Sequence, residues 1–346
     1  MAASPDGMAL AAVDLVKTYS QGRGAPALRA LDGLTFHAET GTVFGLLGPN
    51  GAGKSTTVKI LSTLSRADSG DASVAGIDVR RHPERVRSVI GFVAQKQVSD
   101  PMDTGLENLV LAGQLHGMPT RVARARAGEL LDRFALTSAS RRQVKTYSGG
   151  MARKLDVAIG LMHQPEVLFL DEPTTGLDPE ARAEMWAEIE RMSREERMTV
   201  LLTTHYLDEA DRLANRLAIV DAGRIVTEGT PEELKSDLRG DAVVIEVHEA
   251  SVVPDVLAAI ARVGVLRDVA AEGRTVRARA DEGGAALPVV LGALDAEGLA
   301  VASATVARPS LDDVYLAHTG RTFASAHARS TREHADADED LEEVAS

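Results

Sequence analysis

The chain of 346 residues contains no cysteine. That excludes disulfide staples, thiolate nucleophiles and cysteine-ligated metals, and it fits a reducing compartment. No stretch approaches 18 uninterrupted apolar residues, so no membrane-spanning helix is expected. The first ten residues lack a basic region followed by an apolar run and do not read as a secretory signal. Positive charge is in deficit: 38 Lys and Arg face 51 Asp and Glu, a formal net charge of −13. Non-specific nucleic-acid binding is therefore not expected, and no nucleic-acid partner is assigned. Part of that charge is local, with seven acidic residues between Glu333 and Glu343, so residues 325–346 read as an acidic disordered tail. These absences describe a soluble intracellular protein whose contact with a membrane would come through a partner.

What is present is enough apolar residue, 44%, for one large domain and a smaller one. The most informative stretch is Gly48-Pro49-Asn50-Gly51-Ala52-Gly53-Lys54-Ser55, followed by Thr56. It fits the phosphate-binding pattern G-x-x-x-x-G-K-[ST]. The residues before it, Thr42 to Leu47, read as a buried strand, and those from Ser55 to about Leu64 as a helix. Small residues let backbone N–H groups curl around phosphate oxygens, and the helix N-terminus adds donors and dipole. Lys54 is placed to reach the outer phosphates and Ser55 to ligate Mg²⁺.

Strand and helix signals alternate on either side of residues 105–163, which read as a mainly helical insertion. Strand candidates lie at 89–93, 167–170, 199–204 and 216–220, which points to a sheet covered on both faces. Near Asp237 to Asp241 the character changes. From 243 to 306 the order strand–helix–strand–strand–helix–strand predicts a small α+β domain, without a catalytic cluster.

Groups with useful chemistry gather at strand ends. Asp171 and Glu172 follow the strand 167–170: Asp171 is placed to organise a metal and Glu172 to polarise an attacking water. Gln95, after another strand, can touch Mg²⁺ or water. His205, after 199–204, can bond a γ-phosphate or orient Glu172. Ser148-Gly149-Gly150 precedes a helix and offers a hydroxyl, bare amides and a positive helix end to a phosphate. A second phosphate reader in a chain that already has one points to a site shared between two copies or two related chains, although spacing alone does not require it.

With these motifs in order, residues 9–235 resemble the nucleotide-binding subunit of an ATP-binding cassette (ABC) transporter. The resemblance places Lys54 in the Walker A motif, Asp171 in Walker B, Gln95 in the Q-loop, Ser148-Gly149-Gly150 in the signature and Leu177-Asp178 in the D-loop. His205 takes the place of the switch histidine and Tyr19 that of the aromatic that stacks on adenine. A closer resemblance is to the daunorubicin-resistance type of exporter ATPase. It rests on Tyr147 to Met151 with Leu155-Asp156, on Pro165 to Pro179, and on Pro309-Ser310-Leu311-Asp312-Asp313-Val314-Tyr315. Leu106 departs from it, standing where relatives usually have arginine.

The resemblance implies an α/β P-loop NTPase cassette with a central sheet and a helical signature subdomain, followed by a small α+β domain over 241–317 that dimerises or regulates. It implies ATP and Mg²⁺ as ligands, with Ser55, Gln95 and Asp171 at the metal and Glu172, His205 and Gln95 catalytic. Tyr19, residues 48–56 and 148–150 would hold nucleotide. The expected assembly is a homodimer on a separately encoded transmembrane permease, peripheral at the cytoplasmic face of the cell membrane and exporting a drug, antibiotic or other hydrophobic metabolite. The alternatives are a non-transport ABC ATPase, such as a DNA-repair or translation factor, and an ATP-dependent regulatory protein that hydrolyses weakly. One motif set without a long heptad run disfavours the first, and retention of Glu172 and His205 the second.

Overall fold

Strands in the first half of the chain come in two kinds. β1 (Met8–Tyr19) and β2 (Leu28–Glu39) mix buried and exposed positions, as strands with one solvated face do, whereas β3 (Val43–Leu47) is buried throughout. The computed structural model describes residues 7–20 and 27–327. β3 runs through the glycine-rich turn into α1 (Lys54–Leu61). β4 (Ser69–Val74) and β5 (Ile77–Asp78) complete an antiparallel sheet of order β2-β1-β4-β5.

After α2 (Pro83–Val89) and β6 (Ile90–Val93), the chain becomes helical through α3 (Gly105–Leu115), α4 (Thr120–Arg133) and α5 (Gly149–Gly160). The sheet then resumes with β7 (Val167–Asp171), α6 (Pro179–Arg194), β8 (Thr199–Thr204), α7 (Leu207–Leu213), β9 (Arg216–Asp221) and β10 (Arg224–Gly229). Six strands form the second sheet in the order β10-β9-β3-β8-β7-β6, parallel except for the β9–β10 pair.

Successive side chains of a strand point to opposite faces, and β7 shows it. Leu168 and Leu170 join a core with the helical insertion, including Leu109, Leu130, Leu155 and Met162. Val167 and Phe169 join a second core with α1 and the antiparallel sheet, including Val58, Leu61, Leu15 and Phe36. The parallel sheet is therefore covered on both faces, and its strand ends carry the loops with the chemistry.

The molecule divides at Thr230, and Pro231–Ala326 forms the second compact unit. It begins with α8 (Pro231–Asp237) and continues as β11 (Asp241–Val247), α9 (Val253–Val263), β12 (Arg267–Glu272), β13 (Thr275–Ala280), α10 (Gly283–Ala296), β14 (Val301–Ala307) and α11 (Leu311–Thr319). The antiparallel sheet has the order β12-β13-β11-β14, and Val256, Ile260, Val290 and Leu294 of its helices pack on Val243, Ile245 and Val276. The fold is thus a mixed α/β cassette with a helical subdomain and a smaller α+β unit.

Some details differ from the sequence reading. α2, α8 and α11 escape the periodicity because each spans only two turns or so. α11 is nevertheless well specified, since Ser310 and Asp313 form a reciprocal capping box. α10 begins at Gly283 rather than Leu287, where the Asp241 carboxylate accepts from the Gly283 amide at 2.8 Å. Order also continues past residue 325, the expected start of the tail: residues 323–327 are helical, with Phe323 edge-on to Tyr315 and Ala326 buried. Residues 328–346, with the acidic run, lie outside the described residues.

Candidate functional site

The turn between β3 and α1 requires glycine at two positions. Gly53 caps α1 at φ 110°, and a Cβ there would stand 2.7 Å from the Ala30 carbonyl oxygen and 2.8 Å from a Leu31 methyl. At Gly48 a Cβ would meet the Val220 carbonyl at 2.3 Å. Ala52 is buried and its amide bonds back to the Pro49 carbonyl at 3.3 Å. The first residue of α1 is Lys54, buried, with its ammonium donating to the carbonyls of Gly48 (2.7 Å) and Pro49 (3.0 Å). Burial pushes the Lys54 pKa down, against the opposing pull of the Glu172 and Asp171 carboxylates.

The parallel register brings the next groups to this turn. Asp171 ends β7, one strand removed from β3, and its Oδ1 accepts from Ser55 Oγ at 3.2 Å and from Thr203 Oγ1 at 2.5 Å. Glu172 follows at φ 49°, a left-handed backbone that is costly for a side-chain-bearing residue. Its amide is fixed by the Thr203 carbonyl and hydroxyl, each at 3.1 Å. Its carboxylate sits 3.7 Å from Lys54 Nζ, accepts from Gln95 Nε2 at 3.0 Å, and lies 3.1 Å from His205 Nδ1. Burial raises the Glu172 pKa, but His205 and Lys54 outweigh it and hold the carboxyl below its ordinary value. Glu172 is therefore ionised at neutral pH.

A cleft of about 340 Å³ is lined by Tyr19, Leu28 and Ala30, by Asn50, Gly51 and Gly53 to Thr56 of the phosphate loop, and by Gln95 and Glu172. Ser148, Gly149 and Gly150 are not among its lining residues. Instead Ser148 caps α5, its hydroxyl accepting from the Met151 amide at 3.2 Å. Gly150 packs tightly on α6, where a Cβ would meet that of Ala181 at 2.8 Å. The structure thus gathers the phosphate loop, Tyr19, Gln95, Asp171, Glu172 and His205, and leaves the serine–glycine turn on another surface.

Two further polar residues belong to this neighbourhood. Thr203 is paired with Asp171 in the β7–β8 register. Glu209, on α7 just beyond His205, is fully buried and accepts from Thr174 Oγ1 at 2.7 Å and Trp186 Nε1 at 3.0 Å. Threonines that end a strand before a functional residue are the signal for the first. For Glu209 the signal is an acid on the otherwise buried face of a short helix.

Comparison with known proteins shows the family. Residues 31–175 match the ABC transporter family, and residues 229–319 match the C-terminal domain of DrrA1-3-like ATP-binding proteins. The chain is 45% identical to daunorubicin resistance ATP-binding protein DrrA2 of Streptomyces coeruleorubidus, over 94% of this chain and 99% of that one. The chain belongs to the ABC transporter family, as an ATP-binding subunit of the DrrA type. This ABC subunit is also 44% identical to the daunorubicin/doxorubicin resistance ATP-binding protein DrrA of Streptomyces peucetius, over 93% and 94% of the two chains. Among solved structures it resembles an ATP-binding cassette captured as a dimer in a post-hydrolysis state with ADP and phosphate. The TM-score there is 0.59 at 25% identity, covering 64% of this chain and 98% of that one. The ABC subunit is an ATP-hydrolysing enzyme. Among the described residues, no helix is long and apolar enough to cross a membrane.

Proposed function

We propose that the subunit hydrolyses ATP at a site shared between two copies of the chain, and that the resulting closure and release drive export through a separate membrane subunit. The single observation that carries this reading is Glu172. It is a buried carboxylate held by Gln95 and beside His205 and Lys54, in the lining of the phosphate-loop cleft.

Tyr19 stacks on the adenine, and the amides of residues 48–56 with Lys54 take the phosphates. Lys54 has carbonyl partners that a phosphate oxygen replaces without leaving the ammonium unpaired. Ser55, Asp171 and Gln95 supply hydroxyl, carboxylate and amide oxygens, a hard donor set that fits Mg²⁺. The ion, when bound, neutralises phosphate charge. Glu172 accepts a proton from water as the water oxygen bonds the γ-phosphorus and the bond to the β-phosphate oxygen breaks, leaving ADP and phosphate. His205, against Glu172, orients that carboxylate and the γ-phosphate. Ser148, Gly149 and Gly150 lie away from the cleft of their own chain, which supports their completing the site of a second copy at the N-terminus of α5.

A membrane partner is supported by the segment that follows Gln95. Val98, Met102, Leu111 and Leu115 are exposed there, Leu115 by 79%. The relatives named for daunorubicin and doxorubicin resistance support a drug or antibiotic as the exported compound and a peripheral place at the cytoplasmic membrane face. Within the second unit, the α+β domain over 241–317 is read as a dimerising or regulatory module. The test is Glu172→Gln: nucleotide binding persists while ATP turnover collapses by about a hundredfold or more. Unchanged turnover would remove Glu172 from its role.

A further inference from the structure

Arg153 stands on α5, five residues after Ser148, and is only 8% exposed. Its guanidinium faces no carboxylate at ion-pairing distance among the described residues and instead donates to four backbone carbonyls. Nε reaches Pro173 O at 2.8 Å, Nη1 reaches Ala94 O at 2.5 Å, and Nη2 reaches Asp171 O at 3.2 Å and Glu172 O at 3.3 Å. Three of these carbonyls bracket Glu172, the residue with the left-handed backbone. The fourth immediately precedes Gln95. One turn further along α5, Asp156 Oδ1 accepts from the amides of Ser99 (3.1 Å) and Val98 (3.4 Å). A single helix thus grips the Gln95 segment on both sides and the Glu172 turn from beneath.

Such an arrangement needs arginine specifically. Its planar fork carries five N–H donors in fixed directions, so one side chain can join two strand ends and hold both in register. A lysine ammonium is a point donor with three hydrogens and cannot span that set. The left-handed turn at Glu172 persists only because its surroundings over-determine it. Thr203 fixes the amide side and Arg153 the carbonyl side.

We infer that Arg153 is a positioning residue through which the helix that begins at Ser148-Gly149-Gly150 sets the place of Glu172 and Gln95 in the same subunit. This rests on the reading that the serine–glycine turn serves the site of a second copy. Arg153 then links the two sites: nucleotide caught at the head of α5 in one site steadies the base of the other. A displacement of α5 moves its own Glu172 because the guanidinium is bonded to the carbonyls on either side of it.

The test uses the full chain with the substitutions Arg153→Lys and Arg153→Gln, read as ATP turnover against ATP concentration and as thermal unfolding with and without nucleotide. The expected result is a kcat reduced about tenfold or more, with KM within about twofold and the nucleotide-induced thermal shift retained. In the Arg153→Lys background, adding Ser148→Ala should cost less than a third of the fold-loss it causes alone, because the relay is already broken. Undiminished kcat in Arg153→Lys overturns the inference, as does a raised KM with kcat intact. Strictly multiplicative losses in the double variant, or variants that do not fold, make Arg153 a residue of stability rather than of positioning. None of these outcomes touches the Glu172→Gln result, so failure here leaves the hydrolytic reading standing.

Discussion

Ser55 Oγ and Asp171 Oδ1 lie 3.2 Å apart, although 116 positions separate them in sequence. The hydroxyl at the head of α1 and the carboxylate at the end of β7 meet because α1 starts where β3 ends, and β3 and β7 run parallel with β8 between them. The Thr203 hydroxyl holds the same carboxylate oxygen from the next strand. Asp171→Asn keeps the shape and removes the charge. Magnesium titrations of ATP turnover should then require about 10- to 100-fold more Mg²⁺ at half-saturation. A Mg²⁺ dependence unchanged by the substitution would take Asp171 out of the metal site.

Tyr19 shares the cleft with the phosphate loop. Base–aromatic stacking is worth about 1–3 kcal/mol, so Tyr19→Ala should raise the KM for ATP by roughly 5- to 150-fold with kcat little changed. Tyr19→Phe keeps the ring and should leave KM within about twofold. Equal KM values for the Ala and Phe variants would show that the ring does not stack on the base.

Glu209 gives a pH dependence whose sign can be worked out. Burial raises its pKa above the ordinary carboxylate value, more than its hydrogen bonds from Thr204, Thr174 and Trp186 lower it. A group whose folded pKa is raised contributes stability at pH below its unfolded value and loses that contribution as pH rises through the folded one. Glu209→Gln retains a carbonyl oxygen for Thr174 and Trp186 and does not titrate. The midpoint of the variant minus that of the unaltered protein should therefore increase as pH rises from the ordinary carboxylate range toward neutral. A difference that stays flat or falls would contradict the buried, proton-favouring site.

Leu115, at the exposed end of α3, tests the proposed partner surface without touching the nucleotide site. Leu115→Glu should leave the melting temperature and partner-free ATPase rate nearly unchanged, since an exposed substitution shifts stability by only about 0.5 kcal/mol. Export in cells carrying the membrane subunit should be lost or sharply reduced. Normal export would move the partner contact elsewhere.

How much of this was legible in the sequence follows from how each residue works. The phosphate loop is contiguous, and its glycines are required by local geometry, so residues 48–55 could be read directly. Asp171, Glu172, Gln95 and His205 could be read because each ends or follows an apolar strand. Arg153 could not, because its partners are four backbone carbonyls that leave no trace in residue identity. Thr203 shows in sequence only as a threonine near a strand end; that it meets Asp171 depends on which strands are neighbours. The short helices α2 and α8 show too few turns for a period to be counted. In α10 the Gly283-Gly284 pair and Pro288 argue locally against a helix that Asp241 nonetheless starts.

The central claim is that one cleft is half of an ATP site and that a second copy completes it. Glu172→Gln, which should bind ATP without consuming it, tests this most directly when its mass in solution is measured by light scattering during gel filtration. With saturating ATP and Mg²⁺ the account predicts twice the mass of one chain, reverting to one chain when Ser148→Arg is added. A single-chain mass at saturating ATP, or a dimer indifferent to Ser148→Arg, would contradict it.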